Sequence, residues 1–177
     1  MKRGYVYILS VLIVLVCFGF NLLCVPEDVA EKVLSLDGIF RTSYALGGDL
    51  AGLRGGDEAI YVAKGNIQKA LSTLKDILIE QKRPRRSFSK RDSVNIIIFR
   101  GALPTLGKIE VTKFVSKGNT FEVYAKYIDF PELDIPSQPA AIIPLGKLPS
   151  GIYTVALYVD DQLRKKVEFN VRRYIHI

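Results

Sequence analysis

Hydrophobic and polar residues follow a β-strand pattern through the middle of the chain. Ile96–Phe99 form a short, mostly β-branched run, which is typical of a strand covered on both faces. In Lys108–Val115 and Phe121–Tyr127 apolar residues alternate with polar ones, so each of these strands should bury one face. Gly118-Asn119 tolerates the positive φ that a tight hairpin needs. We therefore predict a three-stranded antiparallel meander over residues 94–128.

A helical pattern precedes this region. Asn66 is a favourable N-cap residue for a helix that runs to about Gln81, and Pro84 follows as a breaker. Apolar residues recur at helical spacing and form a stripe wide enough to pack on a sheet. The residues of this stripe are Ile67, Ala70, Leu71, Leu74, Ile77 and Leu78.

Further strands are predicted on both sides of the meander. They cover Ile39–Leu46, Ala59–Ala63, Ala140–Ile143 and a closing hairpin of Gly151–Asp160 with Leu163–Val171. Residues 130–139 contain three prolines, which do not pair inside a sheet, so this stretch is predicted to be a loop. The closing hairpin resembles the last strands of immunoglobulin-like sandwiches. The predicted fold class is mainly β (α+β): an antiparallel β-sandwich-like domain with one amphipathic helix packed on it.

The N-terminus has the pattern of a membrane anchor or an export signal. Lys2 and Arg3 precede an uncharged stretch, Tyr5–Val25, that reaches the ~20 residues of a transmembrane helix. Because the basic residues come first, the N-terminus should lie inside the cell. We expect a single-pass cell-membrane protein with an extracytoplasmic C-terminal domain. A cleaved signal peptide, and hence secretion, or a lipid anchor on Cys24 are the alternatives.

This interpretation divides the chain into three parts. Residues 1–26 form the anchor or signal segment, residues 27–38 a short stalk or helix, and residues 39–177 the extracytoplasmic β-rich domain. The helical interpretation of the second part depends on Val29, Val33 and Leu36, which lie near helical spacing before Asp37-Gly38.

The formal net charge of +7 comes from two local groups of basic residues. One is Lys2 with Arg3, and the other is a basic run between positions 82 and 91. We interpret this basic run as a solvated loop or linker, with contact to anionic head groups, contact to an acidic partner, or cleavage by a protease as functional alternatives. Nucleic-acid binding is not expected, since the domain is exported and no aromatic residues alternate with the charges. The basic residues of the run are Lys82, Arg83, Arg85, Arg86, Lys90 and Arg91.

Few side chains suited to catalysis occur in the predicted domain. Both cysteines, Cys17 and Cys24, belong to the N-terminal apolar segment, and the single histidine, His176, is the penultimate residue. A Ser-His or Cys-His nucleophile and a His/Cys zinc site are therefore not expected. Three pairs of carboxylates each lie in a turn-like stretch, where acids are ordinarily solvated. A Ser-Lys dyad stays open as an alternative, since its two residues need not be close in the sequence, but the sequence singles out no such pair. We predict a protein that is not an enzyme and has no catalytic residues, no metal and no cofactor. The carboxylate pairs are Asp57/Glu58, Glu132/Asp134 and Asp160/Asp161.

The stretch NIIIFRGALPTLGKIEVTKFVSKGNTFEVYAKYID resembles bacterial PrcB-like domains. Such domains have an apolar strand, a Gly-x-x-Pro-Thr turn and two further strands, and the resemblance covers roughly residues 39–143. The family usually has Gly-Gly-Tyr after Pro-Thr, whereas this chain has Leu106-Gly107-Lys108, and its final hairpin is additional. The resemblance implies an exported, non-catalytic protein that associates with and stabilises an extracytoplasmic protease.

The resemblance also makes the loop after the first meander strand the candidate contact surface, with Leu103 and Leu106 expected to be exposed. We therefore expect a membrane-tethered interaction module with a protein partner in the cell envelope. The alternative is a structural or ligand-binding envelope domain that presents tyrosines to a carbohydrate or polymer. The candidate loop residues are Gly101, Leu103, Pro104, Thr105, Leu106 and Gly107, and the tyrosines are Tyr124, Tyr127, Tyr153 and Tyr158.

Overall fold

The computed structural model describes residues 31–45 and 57–173. Within these residues the chain forms ten strands and one helix. Their bounds, in chain order, are β1 Glu31–Val33, β2 Phe40–Ala45, β3 Ala59–Lys64, α1 Ile67–Ile79, β4 Ser87–Ser89, β5 Ser93–Phe99, β6 Leu106–Lys117, β7 Thr120–Phe130, β8 Ser137–Lys147, β9 Gly151–Val159 and β10 Gln162–Arg172.

The strands form two sheets that pack on a shared core. Sheet A has the order β1-β6-β7-β9-β10-β4, and sheet B has the order β2-β8-β5-β3. Buried apolar side chains from both sheets form one cluster between them. The predicted class, mainly β with two sheets and one helix, is confirmed. The pairing is not wholly antiparallel, because β7 with β9 and β10 with β4 are parallel pairs.

A row of aromatic rings fills the core along the inner face of sheet A. Successive ring centroids lie 5.4–6.0 Å apart, within the range of favourable aromatic contacts. The row consists of Phe114, Phe121, Tyr153, Phe169 and Phe88. Phe88 belongs to the basic run, so this run is a solvated loop only in part: β4 pairs with β10 and places Phe88 in the core.

Helix α1 covers the outer face of sheet B. The Asn66 side chain accepts a hydrogen bond from the Lys69 backbone N–H at 3.0 Å, which confirms the predicted N-cap. Ala70 and Leu74 are buried against a second apolar cluster that includes Ile97. The helix stops at Ile79, two residues before the predicted end.

The predicted three-stranded meander is wrong in one respect. Strands β6 and β7 form the predicted hairpin around Gly118-Asn119, but β5 lies in sheet B between β3 and β8. Both faces of β5 are buried, one against sheet A and the other against α1, as its apolar run indicated. Residues 100–105 therefore carry the chain from one sheet to the other.

Two further local predictions are corrected. Glu31–Val33 form an edge strand on β6, so the helical interpretation of residues 31–36 is wrong. The predicted loop over 130–139 is shorter, because Pro139 pairs within β8. The Arg100 N–H donates to the Pro139 carbonyl at 3.1 Å, so the backbone of Pro139 faces the β5 side of the strand. Because β5 ends at Phe99, the hydrogen bond that the proline nitrogen cannot donate falls just beyond the end of that strand. This lets a proline occupy an inner strand.

The sandwich has two ends that differ in their loops. The described chain starts at the proximal end, where Glu31 pairs with Lys117 beside the Gly118-Asn119 turn. The opposite, distal end carries the loops 100–105 and 131–136, because β6 starts and β7 stops there with Leu106 opposite Phe130.

Candidate interaction surface

The candidate loop is fastened to the adjoining strand by backbone hydrogen bonds. Leu103 and Ser137 form a bridge in which the Leu103 N–H donates to the Ser137 carbonyl at 2.8 Å and the Ser137 N–H donates back at 3.0 Å. The neighbouring loop is attached too, since the Leu106 N–H donates to the Leu133 carbonyl at 3.2 Å. The two loops at the distal end are thus joined.

The Ser137 side chain fixes the shape of the candidate loop. Its hydroxyl oxygen accepts a hydrogen bond from the Gly107 N–H at 2.9 Å, and the hydroxyl donates to the Thr105 carbonyl at 2.8 Å. Ser137 is fully buried, so water does not compete for these groups. One side chain from β8 therefore holds both sides of the Thr105–Gly107 turn.

Two glycines permit this arrangement. Gly101 has a φ of 101°, which disfavours residues with a Cβ. At Gly107 an added Cβ would overlap the Leu103 side chain and would lie 3.2 Å from the Arg100 guanidinium. Position 101 thus favours glycine for its conformation, and a Cβ at position 107 would force the Leu103 side chain to move.

Arg100 connects the loop to β7 by charge and by stacking. Its guanidinium forms a two-point ion pair with Asp129, whose second contact is 2.8 Å, and it lies 4.7 Å from the centre of the Tyr127 ring. The hydrogen bonds and the positive charge of Arg100 lower the pKa of Asp129. Burial, together with the nearby Glu58 carboxylate, raises the pKa of Tyr127 well above its ordinary value. The Tyr127 hydroxyl has no partner with normal hydrogen-bond geometry among the described residues.

The sequence-predicted loop is less exposed than expected. Pro104 is exposed, Gly101 and Gly107 are buried, and Leu103 and Leu106 are only half-buried. The structure therefore places these residues together at the distal end, but the two leucines pack partly against their surroundings.

Two exposed apolar side chains of this end lie on the neighbouring loop, which the sequence indicated only as a loop. Leu133 is 40% and Ile135 43% exposed, and the acidic Glu132 and Asp134 alternate with them. The sequence PELDIP carries a partial signal for this exposure: its prolines end the strand, so the two large apolar residues between them fall in a loop. We call Leu133 and Ile135, with Glu132 and Asp134, the distal tip.

The tyrosines proposed for ligand binding do not share one surface. Tyr153 is buried in the aromatic row, and its hydroxyl donates to the Pro149 carbonyl at 3.0 Å. Tyr127 lies under Arg100. Tyr124 and Tyr158 stack on the outer face of sheet A with centroids 4.8 Å apart and an angle of 12° between the rings. Lys113 Nζ lies 5.5 Å from the centre of the Tyr124 ring. These two rings face each other, and do not form a flat platform for a sugar.

The basic run has no single location. Lys82 pairs with Asp76 at 3.3 Å and Glu80 at 2.6 Å beyond the end of α1, so its charge is neutralised locally. Arg83 lies in the exposed linker before β4, and Lys90 and Arg91 follow β4 as exposed residues. Arg85 and Arg86 line a groove beside β3 and β10, while Lys82, Arg83 and Arg85 line a second pocket next to α1.

The carboxylate pairs remain apart from one another. Glu132 and Asp134 are exposed in the distal tip, and Asp160 and Asp161 form the exposed β9–β10 turn with positive φ values of 50° and 62°. Glu58 lies 3.8 Å from Arg164. Among residues 31–45 and 57–173, no three acidic, histidine or cysteine side chains come together as a metal site would need.

No helix in these same ranges is long and apolar enough to span a membrane. The predicted anchor, Cys17, Cys24 and His176 lie outside the described residues. Comparisons with protein families, with curated proteins and with solved structures found no match to this chain. The resemblance to PrcB-like domains therefore stays a prediction.

Proposed function

We propose that this protein is a non-enzymatic interaction module, tethered to the cell membrane by its N-terminal segment, that uses the distal end of its sandwich to bind a protein partner in the cell envelope. An envelope protease that the module stabilises is the partner class that the sequence resemblance implies. The observation that carries the proposal is the distal tip, where Leu133 and Ile135 stand exposed on a loop joined to the rigid Ser137-held turn.

Rigid support favours binding at this tip. Association costs less conformational entropy when the contacting loop is already ordered. Here the Leu133 carbonyl accepts hydrogen bonds from the Leu106 and Ile135 N–H groups, and the Leu133 N–H donates to the Phe130 carbonyl. Exposed apolar residues surrounded by acids match the usual arrangement of a contact, with an apolar centre and a polar rim. A partner surface with an apolar pocket edged by lysine or arginine would complement the distal tip.

The test is affinity capture of the full chain from its native membrane. The double variant Leu133→Glu/Ile135→Glu should lose a partner that the natural chain retains. Ile152, which is 65% exposed on β9 at the proximal end, offers the matched control. The variant Ile152→Glu should keep the partner. Equal recovery with both variants, or no partner at all after gentle crosslinking, would refute the proposal, and the mass of the mature N-terminus tests the mode of attachment.

A further inference from the structure

A groove separates the two sheets along one side of the sandwich. Its walls are the outer edge of β3, at the border of sheet B, and the part of β10 that β4 does not cover. Its volume is about 280 Å³. The residues that line it include Glu58–Val62 on one wall and Lys165–Val167 on the other, with Pro84–Arg86 at the end next to β4.

Both walls present backbone groups that have no strand partner in the described part of the chain. The Asn170 N–H donates to the Arg86 carbonyl at 2.9 Å on the side away from β9. Because directions alternate along a strand, the N–H and C=O groups of Lys166 and Glu168 face the same open side. On β3 the Gly65 N–H donates towards β5, so the backbone groups of Ile60 and Val62 face the groove.

The groove is strongly cationic. Arg85, Arg86, Lys165 and Lys166 line it, and none of them has a carboxylate within ion-pairing distance among the described residues. The carboxylate that lines the groove, Glu58, already lies 3.8 Å from Arg164. Four unneutralised cations beside two open strand edges are thus available to an anionic partner.

We infer that this groove binds an extended acidic peptide segment of a partner protein by strand addition. The backbone of the segment would pair with the open edge of β10 at Lys166 and Glu168 and so continue the row that β4 begins. Its acidic side chains would neutralise the four groove cations. This site is separate from the distal tip and stands independently of it.

Charge decides between this occupant and a second copy of the chain. Lysines on an exposed edge oppose pairing between identical edges, because the second copy brings the same cations. An acidic strand meets four cations there and two carboxylates, Glu168 on the edge and Glu58, which already lies 3.8 Å from Arg164. The groove is therefore selective for acidic segments, and pairing between copies of this chain is disfavoured.

The test uses the full chain in neutral detergent and a fluorescent octapeptide in which Glu alternates with Thr or Val, with a Lys-for-Glu peptide as the control probe. Fluorescence anisotropy should show saturable binding of the acidic peptide and no binding of the Lys-for-Glu peptide. Amide exchange should slow in the segments that contain Lys166–Glu168. The variant Lys165→Glu/Lys166→Glu should weaken binding by about tenfold or more, since two ion pairs become repulsions. The charge-matched variant Lys32→Glu/Lys126→Glu, outside the groove, should change binding less than about twofold.

A second pair of variants tests strand addition itself. Lys166→Pro removes an N–H that faces the open edge and leaves the β9 ladder intact, whereas Lys166→Ala removes the same charge but keeps the N–H. The affinity for the acidic peptide should be about fivefold or more lower for Lys166→Pro than for Lys166→Ala, which corresponds to the loss of one backbone hydrogen bond. Equal affinities of these two variants, or binding without amide protection, would overturn the inference.

Other outcomes would also overturn it. Equal binding of the Lys-containing peptide would exclude charge selection. If the natural chain binds phosphatidylglycerol vesicles but not the peptide, and Lys165→Glu/Lys166→Glu loses the vesicle binding, the groove cations would be assigned to lipid head groups instead. The variant Leu133→Glu/Ile135→Glu should bind the acidic peptide normally, so a failure of the groove and a failure of the distal tip can be told apart.

Discussion

Replacement of Ser137 by alanine tests how the candidate loop is held. The hydroxyl makes two buried hydrogen bonds, one from the Gly107 N–H and one to the Thr105 carbonyl. Each contributes about 0.5–1.5 kcal/mol net, so Ser137→Ala should lower the free energy of unfolding by roughly 1–3 kcal/mol. For a chain of 177 residues, about 2 kcal/mol corresponds to a fall in Tm of about 4–8 °C.

Thermal unfolding of the full chain, followed by tyrosine circular dichroism, measures this effect. Ser150→Ala is the control, because Ser150 is exposed in the β8–β9 turn. Amide exchange should accelerate at Leu106 and Gly107 in Ser137→Ala and stay unchanged in Ser150→Ala. A Tm within about 1 °C of the control variant, with unchanged exchange, would refute the assignment of Ser137 as the residue that fixes the loop.

Three further predictions concern neighbouring features. Gly107→Ala should lower stability by about 1–3 kcal/mol, and the loss should shrink in the Leu103→Ala background, measured by a double-mutant cycle in urea. Because Arg100 lowers the pKa of Asp129 in the folded state, this carboxylate contributes stability above its unfolded pKa of about 3.9 and loses it as pH falls through the folded pKa. Asp129→Asn should therefore be less stable than the natural chain at pH 7, by less than about 1 kcal/mol because the Asp129 side chain is half exposed. At pH 2 the two proteins should be equally stable, and a stability difference as large as that at pH 7 would contradict this. Asn66→Ala should cost about 1 kcal/mol in the same urea assay, while no loss would contradict the cap.

The alternation of apolar residues predicted most strands, for a local reason. Phe121, Val123 and Ala125 in β7, and Tyr153, Val155, Leu157 and Val159 in β9, are buried at every second position, and this period of two can be seen without knowing the neighbouring strands. The same pattern does not say which strand lies beside which. Apolar Ile96–Ile98 indicated a strand covered on both faces, but its place between β3 and β8 depends on partners 34–38 positions earlier in the chain and 43–47 positions later.

The candidate loop shows a similar division between local and distant information. Gly101 and Gly107 marked a turn, and the structure gives each a steric reason. Ser137 could not be recognised as their support, because its hydrogen-bond partners lie 30 and 32 residues earlier in the chain. The exposure of Leu133 and Ile135 could not be read from the sequence, because the prolines on both sides indicate that a strand ends but not which apolar side chains of the loop stay uncovered.

Site-specific photocrosslinking in the native membrane tests the proposed function most directly. A photoreactive residue placed at Ile135, in the distal tip, should give one discrete adduct with an envelope protein, and the same residue at Ile152, at the proximal end, should give none. The two positions match in residue type and both are exposed. No adduct at Ile135, or the same adduct at both positions, would contradict a partner bound by the distal end.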